Sequence, residues 1–235
     1  MAKLQKPHHE RHRSAHIGWM RASVLGANDG LISTSSLLIG MAAASATPQV
    51  ILITGIAGLT AGALSMAAGE YVSVSSQADT EAADMAKERH ELEHSPEAEL
   101  LELTHIYVQR GLDKHLAHQV AEQLTTHDAI GAHMRDELGI TEALAARPLQ
   151  AALSSAAAFS VGALPPILLA WLWRDSSLPI AISVVTLVLL AGLGALAGRL
   201  GGASMTRGAM RVLFWGAMAM AATGLIGRLF GVAAT

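Results

Sequence analysis

Four long stretches of this chain carry no charged side chain, and they limit its fold more than any other feature. Leu31 to Gly69 runs 39 residues without Asp, Glu, Lys or Arg, Pro148 to Trp173 runs 26, Ser176 to Gly198 runs 23 and Val212 to Gly227 runs 16. A helix that crosses a bilayer needs about 20 mainly apolar residues, at a rise of about 1.5 Å each. The first stretch is long enough for most of two such helices, with Thr47-Pro48-Gln49 as the turn between them. Five spans are therefore predicted, at about 20–46, 50–75, 149–173, 178–199 and 207–231. Composition points the same way: the 235 residues are 51% hydrophobic and only 15% charged, where a soluble domain carries about a quarter charged residues. The chain has no cysteine, which excludes disulfides, thiolate zinc sites, iron–sulfur clusters and cysteine nucleophiles. A net charge of −3 offers no electrostatic case for a nucleic-acid partner.

The basic residues suggest an orientation. The N-terminal flank holds Lys3, Lys6, Arg11, Arg13 and Arg21, and the loop between spans four and five holds Arg199, Arg207 and Arg211. The opposite side offers only Arg174 and Arg228. The positive-inside rule then puts the N-terminus and the insertion after span two in the cytoplasm, and the C-terminus on the far side. Trp19, Trp171 and Trp173 fall near span ends, where interfacial aromatics gather. The leading segment, with His8, His9, His12 and His16, lacks the apolar core of a signal peptide and reads as a tail. Four regions result: a His-rich basic tail over 1–19, spans one and two over 20–75, an insertion over 76–148, and spans three to five over 149–235.

The insertion differs from the rest in kind. It carries 15 acidic and 6 basic side chains and seven of the eleven histidines. Its pattern predicts short helices over 77–94, which continues span two, and over 97–110, 113–125 and 126–138. Ser95-Pro96-Glu97 stops one helix and starts the next, with proline at the first helical position. Gly111 and Gly139 are expected at helix ends. Leu100, Leu103, Ile106 and Tyr107 recur at helical spacing and form one apolar face. No strand pattern, nucleotide-binding glycine loop or catalytic-triad order is visible.

Two sets of residues carry chemistry. Glu88-x-x-Glu91 and Glu99-x-x-Glu102 repeat one spacing, which places each pair on one helix face. Two such pairs on adjacent helices can converge four carboxylates, suited to Mn²⁺ or Fe²⁺. Met134 and Glu137 repeat the offset, and Glu91-x-x-His94 and Glu102-x-x-His105 add imidazoles. By spacing alone, a solvated acidic face explains these residues equally well. The second set lies in the membrane. Asp29 sits about eight residues into span one, roughly 12 Å deep, and Glu70 sits toward the inner end of span two. Burying a charge at the bilayer centre costs at least about 2.5–3.5 kcal/mol. Neither span holds a Lys or Arg to pair with them over 31–69. Asp29, Ser33, Ser36 and Gly40 form one polar, small-residue stripe, and Gly55, Gly58, Gly62, Met66, Gly69 and Glu70 form another. Because the two spans run antiparallel, Asp29 and Met66 fall at similar depth, with Glu70 one turn nearer the cytoplasm.

The stretches Gly26-Ala27-Asn28-Asp29-Gly30-Leu31 and Ala61-Gly62-Ala63-Leu64-Ser65-Met66-Ala67-Ala68-Gly69-Glu70-Tyr71-Val72-Ser73-Val74-Ser75-Ser76-Gln77, followed by the acidic insertion, resemble the vacuolar iron transporter family. The resemblance runs from about His16 to the last span. It implies a homodimeric exporter of cytosolic Fe²⁺ or Mn²⁺, exchanging metal for protons; the short chain, with no long targeting extension, leads us to expect a bacterial-type member in the plasma membrane. Zn²⁺ and Co²⁺ stay open as ions. It implies that Asp29 and Met66 line the path and that Glu88, Glu91, Glu99 and Glu102 bind metal. A Met-Met-x-x-Glu segment of the family matches His133, Met134 and Glu137, so His133 departs from the pattern. Plant members carry a glutamate where this chain has Gly58, and Glu70 is the candidate substitute.

The resulting expectation is an all-α, five-span transporter with a cytoplasmic helical metal-binding insertion and no enzymatic activity. The cytoplasmic glutamates would collect metal and pass it to Asp29, Met66 and Glu70. The rival from another class is a membrane-anchored ferroxidase, because Glu-x-x-His on two helices is a di-iron ligand set. A sensor without flux is the third, though it has no use for charges inside the membrane.

Overall fold

The computed structural model describes residues 17–141 and 146–233; the His-rich tail lies outside the described residues. Among the described residues seven helices follow in order: α1 (Ile17–Ala43), α2 (Pro48–His94), α3 (Pro96–Gln109), α4 (Lys114–Asp136), α5 (Pro148–Leu172), α6 (Leu178–Leu200) and α7 (Met205–Ala233). No strand occurs among the described residues. The chain forms two compact units, residues 1–69 with 152–235 and residues 70–151.

In the first unit, α2, α5, α6 and α7 are long and apolar enough to cross a membrane. At 27 residues α1 has the length, but Asn28, Asp29 and the run Ser33-Thr34-Ser35-Ser36 keep its apolarity below that of the others. The unit is apolar on its outside. Ile53, Leu64, Val161, Leu172, Ile180, Val188, Phe214 and Phe230 are all exposed. Polar groups lie within: Ser35 and Thr186 share a buried hydrogen bond of 2.7 Å between α1 and α6. Water would penalise an apolar surface of this extent and lipid does not. The chain is an integral, multi-pass membrane protein.

Backbones approach closely in this unit because small residues permit it. A Cβ on Gly162 of α5 would strike the Ala27 carbonyl of α1, and one on Gly30 of α1 would strike the Phe159 carbonyl of α5. Gly227 of α7 meets the Gly40 carbonyl of α1, while Gly194 of α6 and Gly208 of α7 meet each other's carbonyls. These spaced glycines thus serve contacts within one chain. Leu38, Ile39, Ile51, Ala170, Ile182 and Met220 fill the core between them. Pro165 and Pro166 lie inside α5, a placement membrane helices tolerate.

The second unit comprises the end of α2 with α3 and α4. Pro96 opens α3 at a position where its missing N–H costs nothing. Asp113 caps α4 by accepting from the His115 and Leu116 N–H groups at 3.0 and 3.1 Å. Gly111 (φ 99°) and Gly139 (φ 69°) adopt the left-handed conformation that ends each helix. Leu103, Ala121 and Ala132 form the core, flanked by Leu100, Ile106 and Tyr107 as the helical spacing predicts. The segments expected at 113–125 and 126–138 meet at Asp128, whose extended backbone (φ −162°, ψ 86°) breaks α4 into two helical stretches. The Asp128 carboxylate accepts from the Gly131 N–H at 3.0 Å and so starts the helix afresh.

Candidate metal centre and membrane cavity

Three helices of the second unit each bring one ligand-bearing side chain to the same point. Glu88 comes from the end of α2, Glu99 from the first turn of α3, and His133 from the part of α4 beyond the Asp128 kink. One ligand atom from each lies within 4.8 Å of the other two. His133 Nδ1 is 2.9 Å from Glu88 Oε1, 3.0 Å from Glu137 Oε2 and 3.9 Å from Glu99 Oε2. The three are deeply buried, with 0, 4 and 6% of His133, Glu88 and Glu99 exposed. Carboxylates are almost never buried to this degree unless paired.

The polar accounting here does not close. Nδ1 carries at most one proton, and its hydrogen bond runs to Glu137 Oε2. Glu88 Oε1 therefore has no hydrogen-bond partner despite its nearness, and His133 Nε2 on the other side of the ring has none either. An orphaned buried polar atom costs about 1–3 kcal/mol. Nearby cations are engaged elsewhere. Lys87 is exposed and pairs with Glu91 at 3.4 Å, and Arg110 and Arg135 both bind Asp136. Burial, reinforced by the surrounding carboxylates and only partly countered by His133, pushes the Glu88 carboxyl up to about 7. Burial, with the charge of Glu102, also raises Glu99. A divalent cation among these groups would supply the missing charge and occupy the orphaned lone pair of Glu88. The residues fit such an ion: carboxylate oxygens and one imidazole nitrogen.

Not every residue expected at this site is brought into it. Glu91 is half-buried and held by Lys87. Glu102 is exposed and lines an open cleft of about 810 Å³ together with His105, Gln109 and Glu137. Met134 is buried next to His133 in sequence. His105 hydrogen-bonds Gln109 at 2.8 Å. The Glu102-x-x-His105 half of a di-iron ligand set thus faces the cleft rather than the buried group. A neighbouring network was not foreseen from the sequence. Asp136 accepts from Tyr107 at 2.8 Å and from Arg110 at 2.5 Å. Burial alone would raise Asp136, but these bonds and Arg135 bring it below the usual carboxylate range. This network ties α3 to α4 one position before Glu137.

The first unit holds its own candidate site. A cavity of about 250 Å³ between α1, α2 and α5 is lined by Asp29, Ser33, Thr34, Ser65 and Met66, with Leu37, Gly58, Gly62 and Phe159. Asp29 and Met66 meet here, and so do the two polar stripes over part of their length. Ser36 is buried and has no partner, while Gly40 faces α7. Glu70, one turn beyond Met66, is not among the lining residues. Gly62 keeps the cavity open, since a Cβ there would strike the Phe159 ring. Thr34, Ser65 and Phe159 were missed by sequence reasoning; Phe159 carries no local signal, being one apolar residue in an apolar span.

Comparison with known proteins places this geometry in a family. The VIT family model matches residues 20–228. A vacuolar iron transporter from Acanthamoeba castellanii is 48% identical over 218 residues, covering 91% of this chain and 80% of that protein. Vacuolar iron transporter homolog 1 of Oryza sativa subsp. japonica is 35% identical over 219 residues, 93% of this chain and 76% of its own length. Vacuolar iron transporter homolog 2 of Arabidopsis thaliana is 37% identical over 216 residues, covering 91 and 85%. The match across both units shows that the chain belongs to the VIT family, whose members are transporters rather than enzymes.

Proposed function

We propose that this protein exports Fe²⁺ or Mn²⁺ from the cytoplasm across the membrane in exchange for protons. The observation that carries this is the cavity between α1, α2 and α5, which Asp29 and Met66 both line among apolar helices. A carboxylate and a thioether in such surroundings have the chemistry of a pathway for a divalent cation, and charged residues within spans mark such paths. The names of the relatives support iron as cargo. In this reading α1 is the fifth span. Its Asp29 and its serines are polar because they serve the path. The N-terminus and the unit over 70–151 face the cytoplasm, where Arg199, Arg207 and Arg211 also lie. Glu88, Glu99, His133 and Glu137 collect the ion, with Glu91, Glu102 and Met134 as further candidate ligands, and Glu70 belongs to the path with Asp29 and Met66. The working form is a homodimer, and the setting a plasma membrane.

Carboxylates bind either a metal ion or a proton, so proton arrival from the far side releases the ion there. The test is metal uptake by proteoliposomes holding the purified chain. A lumen made acidic should accelerate entry of Fe²⁺ or Mn²⁺ and should lose protons as metal enters. Uptake that ignores the pH gradient would reject the exchange, and absence of uptake by folded protein would reject transport.

A further inference from the structure

The buried group in the second unit is not a purely acidic cluster, because its centre is an imidazole nitrogen. Nδ1 of His133 lies 2.9 Å from Glu88 Oε1 and 3.9 Å from Glu99 Oε2. The ring is fully buried and its Nε2 has no partner, and Glu88 Oε1, also buried, has none. The unpartnered oxygen of the deeply buried Glu88, aimed at Nδ1, points to a ligand that bonds through lone pairs. When an ion binds, the proton that Nδ1 shares with Glu137 Oε2 gives way, by loss or by transfer to Nε2, and the Nδ1 lone pair then faces the same point as the carboxylates.

Divalent ions answer differently to these two kinds of donor. Carboxylate oxygen suits Mg²⁺, Ca²⁺ and Mn²⁺, whereas imidazole suits iron, nickel, copper and zinc, and affinity rises from Mn²⁺ through Fe²⁺ to Co²⁺. A site of oxygens alone separates these ions weakly. We propose that His133 sets the metal preference of this site, directing it toward Fe²⁺ and the later ions of the series and against Mn²⁺, Mg²⁺ and Ca²⁺. This rests on reading the buried group as the site that collects the cargo, and it narrows that cargo to iron over manganese at the first binding step.

The experiment uses the purified full-length chain in detergent, with Mn²⁺ and the air-stable Co²⁺ as probes in direct competition. Wild-type protein should prefer Co²⁺, and His133→Gln, which replaces the ring with an amide, should lower the Co²⁺ to Mn²⁺ affinity ratio by about tenfold, a scale typical of altered ligand environments. His133→Glu serves if the first variant does not fold. Pulsed electron paramagnetic resonance of bound Mn²⁺ provides a second readout: directly coordinated ¹⁴N in wild type and in His105→Gln, and its loss in the His133 variants. An unchanged ratio in both His133 variants, or Mn²⁺ bound without ¹⁴N coupling in wild type, overturns the proposal. Binding by wild type that survives the double change Glu88→Gln and Glu99→Gln would instead show that the collecting site lies elsewhere, and the reading beneath the proposal would fail.

Discussion

Glu88 shows how one residue links folding to metal capture. Its carboxyl titrates near 7 in the folded chain and near 4.5 when unfolded, first because it is buried and then because other carboxylates surround it. The folded state therefore holds a proton that the unfolded state has released. Stability from this group is present below about pH 4.5, declines as pH rises toward 7, and levels off above that. The effect is of the order of a few kcal/mol. Metal-free protein should melt at higher temperature at pH 5 than at pH 7.5, and Glu88→Gln should remove much of that difference, as thermal unfolding in detergent will show. Metal affinity should run oppositely, rising with pH as the proton leaves, and titration calorimetry at the two pH values checks it. Glu88, Glu99 and Glu137 were legible as spaced ligands, and His133 only through the resemblance of its segment to a family motif. The burial of Glu88, Glu99 and His133 was not legible, because a three-residue repeat of glutamates looks the same on a solvated face. What buried them was the approach of three helices, which no local pattern encodes.

At the scale of elements, α4 and α5 carry the most consequential details. The kink at Asp128 redirects α4, so that His133 reaches Glu88. Asp128→Ala removes the carboxylate that accepts from Gly131 and should cost about 1 kcal/mol of stability, with weaker metal binding measured alongside. In α5, Gly162 is required by the Ala27 carbonyl that lies where a Cβ would go. Gly162→Val should therefore destabilise the membrane unit by about 1–3 kcal/mol or more, seen as a lower melting temperature or loss of monodisperse protein. The spans themselves were legible as uncharged runs, and so were the helix stops at Pro96, Gly111 and Gly139. The expected span over 20–46 is not among the four helices apolar enough to cross a membrane, because the polar residues of α1 that line the cavity dilute its apolar signal. The break within α4 was legible as two short segments, and Asp128, which accepts from the Gly131 N–H, starts the second of them.

For the whole molecule, the glycine pairs at Gly26/Gly30, Gly194/Gly198 and Gly227/Gly231 face α5, α7 and α1 of the same chain. A dimer must therefore form through other surfaces. Light scattering with mild detergent is expected to give the mass of two chains, and a monodisperse monomer would contradict that assembly. In the proposed path Asp29 conducts a metal ion through the cavity it shares with Met66. Its most direct test is Fe²⁺ entry into proteoliposomes, compared between wild type and Asp29→Ala at equal amounts of folded protein. Wild type should carry Fe²⁺ inward well above empty liposomes, and Asp29→Ala should fall to their level while still binding metal at the Glu88, Glu99 and His133 site. Equal flux from the two proteins would contradict the path.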